Sequence, residues 1–213
     1  ATFHQLGREQ AQKLHEDNRL YDVGDRIFVG SMPLGNSSLS LHLREYHGDA
    51  LAMYPAIGNV KDGKLPKEAG EIALSEDTLQ YLGLEAAVGN VISLDLCAFV
   101  MDGSLPEFNY SADFVLTGIL ESSSIGYLSG VVEGIAGNGT AEELLPEEYL
   151  LYATDFKTYD KKNFQGIVYE LAEKWNVNGR YIQYNWILLD AIGISYDEEA
   201  GGDTGIGFSF MAA

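Results

Sequence analysis

Cysteine is nearly absent from this sequence: Cys97 is the only one in 213 residues. That excludes an internal disulfide framework and a thiolate metal cluster, both of which need several thiols. Basic residues are scarce as well. Thirteen Lys and Arg stand against thirty-two Asp and Glu, giving a formal charge of −19 and a sequence pI near 4.3. This sign is opposite to what a phosphate backbone attracts, so nucleic acid is excluded as a partner, and so is docking on anionic lipid through a basic patch. No run reaches the roughly 18 apolar residues of a membrane helix. Ala1-Thr2-Phe3-His4 has neither the basic nor the apolar region of a signal peptide. A start without Met and an apolar end, Ile206 to Ala213, suggest a piece excised from a longer chain. That end reads either as the entry to a membrane segment or as a last strand. What is present, 46% hydrophobic and 21% charged residues, suffices for one large domain or two small ones with a core.

The ends of the chain read as helical and the middle as strands. Gly7 to Asp17 carries Ala11 and Leu14 on one face and charges on the other, a short amphipathic helix. Tyr21 to Gly30 reads as a strand, and Pro33 to Ser38 is turn chemistry. Leu39, Leu41 and Leu43 alternate with polar residues as in a half-buried strand, and Gly48-Asp49 opens a short helical stretch through Met53. Ser75 followed by Glu76 and Asp77 starts a helix that Gly83 stops. In Val91 to Val100 the even positions are apolar, which puts Cys97 on the mixed face. Asp102-Gly103-Ser104 is a hairpin-type turn, and Phe114 to Leu120 is a further strand. Gly134 to Glu148 reads as an acidic loop before a strand at Tyr149 to Phe156. The clearest helix follows: Asp160 as its cap, then Phe164, Ile167, Val168, Leu171, Ala172 and Trp175 on one face, ended by Asn176 to Gly179. This order predicts an α+β fold rather than a βαβ alternation.

Catalytic patterns are weak throughout. His42 and His47, five apart, fall on opposite faces of a strand and align poorly on a helix, so they do not share a metal. Glu142-Glu143, Glu147-Glu148 and Glu198-Glu199 lie in polar, loop-like surroundings, where solvated faces are expected rather than an opposed glycosidase pair. Asp155 to Asp160 and Asp197 to Gly205 lack the alternating ligands of a calcium loop. No Gly-x-Ser-x-Gly elbow or phosphate loop occurs, and Gly126 and Gly130 are ordinary loop glycines. Cys97 in an apolar strand reads as a structural thiol. Asn36, Asn109 and Asn138 open sequons at about chance frequency. We therefore expect no catalytic residue, no metal and no cofactor.

The stretch Asp62 to Leu84, DGKLPKEAGEIALSEDTLQYLGL, resembles the middle of the extracytoplasmic domain of MacB/FtsX-type ABC transporter permeases. There a "G-x-x-P-x-x-x-x-E-I-x-x-S" segment leads into a helix and an "x-x-G-D-x-I" strand. Val88-Gly89-Asn90-Val91-Ile92 is similar to that strand, with Asn90 in place of Asp. Phe114 to Leu120 resembles the next one, Glu9 to Val29 the opening helix and strand, and Tyr149 to Trp175 the closing strand and helix. Tyr184 to Gly193 resembles an "N-x-x-L-L-x-x-x-G" segment of Gram-positive members. The N-terminal strand that follows the first membrane helix in the family is expected to be missing. Without the family the motif is scaffold: Pro66 fixes the chain after an Asp62-Gly63 turn, Glu71 to Leu74 forms a short strand and Ser75 caps a helix.

Together with the strand-dense centre, the resemblance implies a discontinuous architecture. A membrane-proximal, porter-like α+β lobe would comprise residues 1–67 and 130–213, with a β-rich lobe, 68–129, inserted and pointing away. It further implies a non-catalytic extracytoplasmic domain that couples ATP-driven helix movement to export of a peptide, toxin or lipoprotein, or to control of an extracellular partner. Its partners would be its own transmembrane helices, an ATPase and a peptide or protein at the distal lobe. Two other readings are a secreted acidic binding or adhesion module, suggested by the acidity and thirteen tyrosines, and a carboxylate-dependent hydrolase.

Overall fold

The computed structural model describes residues 1–122, 128–185 and Leu189. Its first strand, β1 (Thr2–Leu6), leads into helix α1 (Arg8–His15), which buries Ala11 and Leu14 as their spacing requires. A long strand β2 (Leu20–Pro33) and β3 (Ser40–Gly48) form an antiparallel hairpin, followed by a single 3-10 turn, Leu51–Met53. Then come β4 (Val60–Gly63), β5 (Glu71–Ser75), α2 (Glu76–Tyr81), β6 (Val91–Ala98), β7 (Phe108–Leu120) and β8 (Val131–Ala136). The chain ends its described course in α3 (Thr140–Leu144), β9 (Tyr152–Thr158), α4 (Phe164–Lys174) and β10 (Ile182–Gln183).

The strands join into one mixed sheet in the order β10-β1-β9-β2-β3-β8-β5-β7-β4, with β6 bridging β7 and β2. The chain is an α+β domain. Because β6 pairs β7 along its whole length and meets β2 at Ser31 opposite Cys97, the path β2-β3-β8-β5-β7-β6 closes on itself. Alternation then sends one side chain in two into the ring, where Val29, Leu41, Leu43, Ile72, Leu74, Leu94, Leu96, Phe114 and Leu116 pack together. Each such burial is worth about 1.5–3 kcal/mol relative to exposure. Tyr110 reinforces the seam, its hydroxyl donating to the Val29 carbonyl at 2.7 Å.

A second core lies where β10, β1, β9 and the start of β2 leave the ring. Phe3, Leu6, Leu20 and Phe156 from the strands pack against Leu14 of α1 and Ile167, Val168 and Leu171 of α4. The long β2 therefore serves both cores, giving Leu20 to the second and Ile27 and Val29 to the first.

Several sequence expectations hold: α1, the hairpin strands, β6 with Cys97 half-buried on its outer face, and α2, whose cap Ser75 accepts from the Thr78 amide at 3.2 Å. Others need correction. The N-terminal strand expected to be missing is β1, paired with β9 and β10. A register shift between Phe3 and Leu6 breaks its alternation and hides it from a period-2 pattern. The supposed loop from Gly134 begins inside β8 and contains α3, and the Asp62-Gly63 turn is the end of strand β4. Strand β7 begins at Phe108, six residues before the apolar run that announces it. Asp160 caps only a turn, accepting the amides of Lys162 and Asn163, and α4 begins later, with Asn163 at its cap position. The segment from Trp186 to Gly193 apart from Leu189, the pair Glu198-Glu199 and the apolar end 206–213 lie outside the described residues.

Candidate functional site

The face of the sheet turned away from α1 and α4 carries a buried polar network. Thr2 on β1 and Asp155 on β9 alternate with Phe3 and Phe156 of the second core and so point to the opposite side, where Arg26 of β2 meets Asp155. Asp155 is fully buried. Its Oδ2 accepts from Arg26 Nε at 2.7 Å, and its Oδ1 accepts from Arg26 Nη2 at 3.1 Å, from the Tyr54 hydroxyl at 3.0 Å and from Thr2 Oγ1. The guanidinium also sits 4.6 Å from the Tyr54 ring centroid. Burial opposes the charge on Arg26, but Asp155 and Tyr54 outweigh it and hold its pKa above the ordinary value; burial likewise pushes the Tyr54 phenol up. With both oxygens of Asp155 bonded within the chain, the cluster is a tie between β1, β2, β9 and the turn after β3.

A second carboxylate, Asp25, faces Thr154 across the β2–β9 ladder. His15 Nε2 lies 2.8 Å from Asp25 Oδ2, and Thr154 Oγ1 donates to Asp25 Oδ1 at 2.6 Å. The hydrogen bond to Asp25 raises the His15 pKa against partial burial. Here the hydroxyl serves the carboxylate rather than the imidazole, the reverse of the order that activates a nucleophile. Glu45, buried among the ring residues of β3, accepts from the amides of Gly139 and Ala141 and lies 2.6 Å from His47 Nε2. It satisfies the opening amides of α3 from a distant strand.

On the opposite face of β3, His42 Nδ1 lies 3.1 Å from Arg44 Nη2, and Arg44 also pairs with Glu133 of β8. Burial and the neighbouring Arg44 push His42 down to about 4, so the imidazole is neutral and accepts from the guanidinium. Phe28 packs edge-on against both His42 and Phe99. His42 and His47 thus stand on opposite sides of one strand, as their spacing requires. Among the described residues no three His, Cys, Asp or Glu converge to hold a metal ion. Glu142 and Glu143 lie in the first turn of α3, where Glu142 pairs with Arg8, and Glu147 and Glu148 in a 3-10 turn. Burial, then Glu107, pushes the Cys97 thiol up, away from nucleophilic use.

Sequence reasoning missed Asp155 and Arg26. The available signal was a charge set inside an otherwise apolar strand pattern, Arg26 before Ile27-Phe28-Val29 and Asp155 before Phe156.

Charge is segregated along the chain. Between Lys67 and Lys157 lie 89 residues without a single Lys, Arg or His, and they contain sixteen Asp and Glu, so this stretch carries −16 of the total −19. Eight of the ten exposed large apolar side chains among the described residues belong to it, from Tyr81 to Leu128. Its strands β6 and β7 expose one face, on which Val91 stands opposite Val115, Ser93 opposite Asp113 and Asp95 opposite Ser111.

No protein-family model and no curated protein matches this chain in sequence. Solved structures do match. The extracellular domain of the noncanonic ABC-type transporter YknZ from Gram-positive bacteria is similar at 9% identity and a TM-score of 0.54, over 84% of this chain and 96% of that one. The periplasmic region of MacB from Actinobacillus actinomycetemcomitans is similar at 14% identity and a TM-score of 0.47, over 91% of this chain and 83% of that one. The chain shares the fold of the YknZ extracellular domain.

Proposed function

We propose that this chain works as the extracytoplasmic domain of an ABC transporter permease, a non-catalytic element that couples ATP-driven movement of membrane helices to export of a substrate or control of an extracellular partner. The observation that carries this reading is the fold shared with the YknZ extracellular domain over most of both chains. The polar clusters agree with it, since Asp155, Asp25 and Glu45 each spend their oxygens on bonds that join elements. In this reading residues 1–67 and 130–213 form the membrane-proximal part and 68–129 the distal part, and the partners are the transmembrane helices of the same permease and an ATPase. Among the described residues no helix is long and apolar enough to cross a membrane.

Labelling of the full-length gene product in intact cells tests the proposal. Ser93 is exposed on β6; a Ser93→Cys variant on a Cys97→Ser background should react with a membrane-impermeant maleimide equally before and after lysis, and the labelled protein should sediment with membranes and co-purify with an ATPase. Labelling only after lysis overturns the location. Recovery of the protein free in the medium supports the secreted-module reading instead.

A further inference from the structure

We propose that the open face of the β6–β7 hairpin is a docking surface for a cationic amphipathic peptide helix, the partner class of the distal part in the reading above. Val91 and Val115 form an exposed cross-strand apolar pair, Val91 being 67% exposed. Beside it, Asp113 and Asp95 lie on the same face, one residue pair apart along the ladder, diagonal neighbours at about 7–8 Å. Each carboxylate is held by a serine of the opposite strand: Ser93 Oγ donates to Asp113 Oδ1, and Ser111 Oγ donates to Asp95 Oδ1 at 2.6 Å. Neither has an ion-pair partner among the described residues.

Charge complementarity selects the occupant. The hairpin lies inside the 89-residue stretch devoid of Lys, Arg and His, and the basic side chains adjoining it, Lys61 and Lys64, are already tied to Glu76 and Glu71. Cations on a partner therefore meet two unpaired, pre-oriented carboxylates, which lowers the ordering cost of binding. The distances suit a helix. From Val91 to Asp95 the face is about 14 Å long, and two helical turns rise about 11 Å. Lys or Arg at positions i and i+4 would reach Asp95 and Asp113 while Leu one to two turns further covers Val91 and Val115. An anionic or purely apolar partner would leave the carboxylates uncompensated against a dry surface.

The test uses the synthetic peptide KLAKLAKKLAKLAK and its analogue with Glu for every Lys, titrated into the isotopically labelled domain by NMR and followed by fluorescence anisotropy. We expect the cationic peptide to bind with shifts confined to Val91–Ala98 and Phe108–Leu120, to weaken as salt rises, and the Glu analogue not to bind. Asp95→Asn with Asp113→Asn should weaken binding about 5- to 10-fold, and Val91→Ser with Val115→Ser by a similar factor, whereas Glu142→Gln with Glu143→Gln, an equal charge change on α3, should leave it unchanged. Absence of binding, equal loss from the α3 variant, or shifts mapping elsewhere on the wild-type chain overturns the proposal. Such a failure leaves the labelling of Ser93→Cys in cells untouched, so the docking face and the transporter reading fall separately.

Discussion

Asp155 is out of contact with water and carries four hydrogen bonds from three side chains, one of them the buried Arg26. Replacing it with Leu strands the guanidinium in the interior, and we expect a loss of about 3–5 kcal/mol in urea unfolding. Adding Arg26→Met should restore much of that loss, because two apolar side chains need no compensation. A double variant as unstable as the single one would show that the tie, not the stranded charge, sets the cost. Histidines give the pH dependence. His42 is held neutral to about 4; between there and its unfolded value near 6.5 the unfolded chain binds more protons, so stability rises with pH, by roughly 3 kcal/mol at most. The lowered pKa of His4, set by burial and then Arg26, acts in the same direction. His15 has a raised pKa, so its contribution is complete below about 6.5 and is lost as pH rises through the folded value. Chemical denaturation from pH 4 to 8 should show an acidic limb that His42→Gln flattens and a decline setting in above about 6.5 that His15→Gln removes. A single residue announces its packing by its period but not its partners: Leu41 and Leu94 were legible as core, while the Asp155–Arg26 pair joins residues 129 positions apart.

Helices and strands were legible where their own residues determine them. Ser75 is the clearest case, since the cap, the acids in the first turn and Leu79 on the buried side are all local. Ser75→Ala removes the acceptor for the Thr78 amide and the 2.8 Å contact with its hydroxyl, and should cost about 1 kcal/mol in thermal or urea unfolding; no measurable change would mean that β5 alone positions α2. Elements defined by their neighbours were not legible. Strand β8 contains Gly134, which reads as the start of a loop, yet Gly134 is required by close approach: a Cβ there would stand 2.7 Å from Leu74 Cδ2 and 3.2 Å from methyls of Leu41 and Leu43. Gly134→Ala should therefore destabilise the ring by about 1–3 kcal/mol through overpacking, despite the higher strand propensity of Ala. Helix α3 is a similar case. Its opening amides are met by Glu45, nearly a hundred residues earlier, so no local cap marks it.

The α+β class could be read from the order of patterns, but closure of the ring could not, because it depends on Ser31 of β2 meeting Cys97 of β6 across a bulged, twisted hairpin. Closure has an energetic consequence for the whole molecule. Strand β2 is 14 residues long, about 46 Å when extended, and supplies both cores, while Tyr152 of β9 packs against each. The Asp155–Arg26 pair ties β9 to β2 between the cores. Neither half can open without exposing side chains of the other, so the two cores should unfold together. Leu94→Ala, inside the ring, and Leu171→Ala, under α4, should each cost about 2–5 kcal/mol. Native-state hydrogen exchange decides whether that cost is shared. In a coupled molecule, Leu94→Ala lowers the protection of the slowest amides of α4 by the same free energy as those of β6, and Leu171→Ala does the converse. If each substitution loosens only its own core, the two cores belong to separate folding units joined by β2, and a displacement of the second core would reach the β6–β7 face only through that one strand.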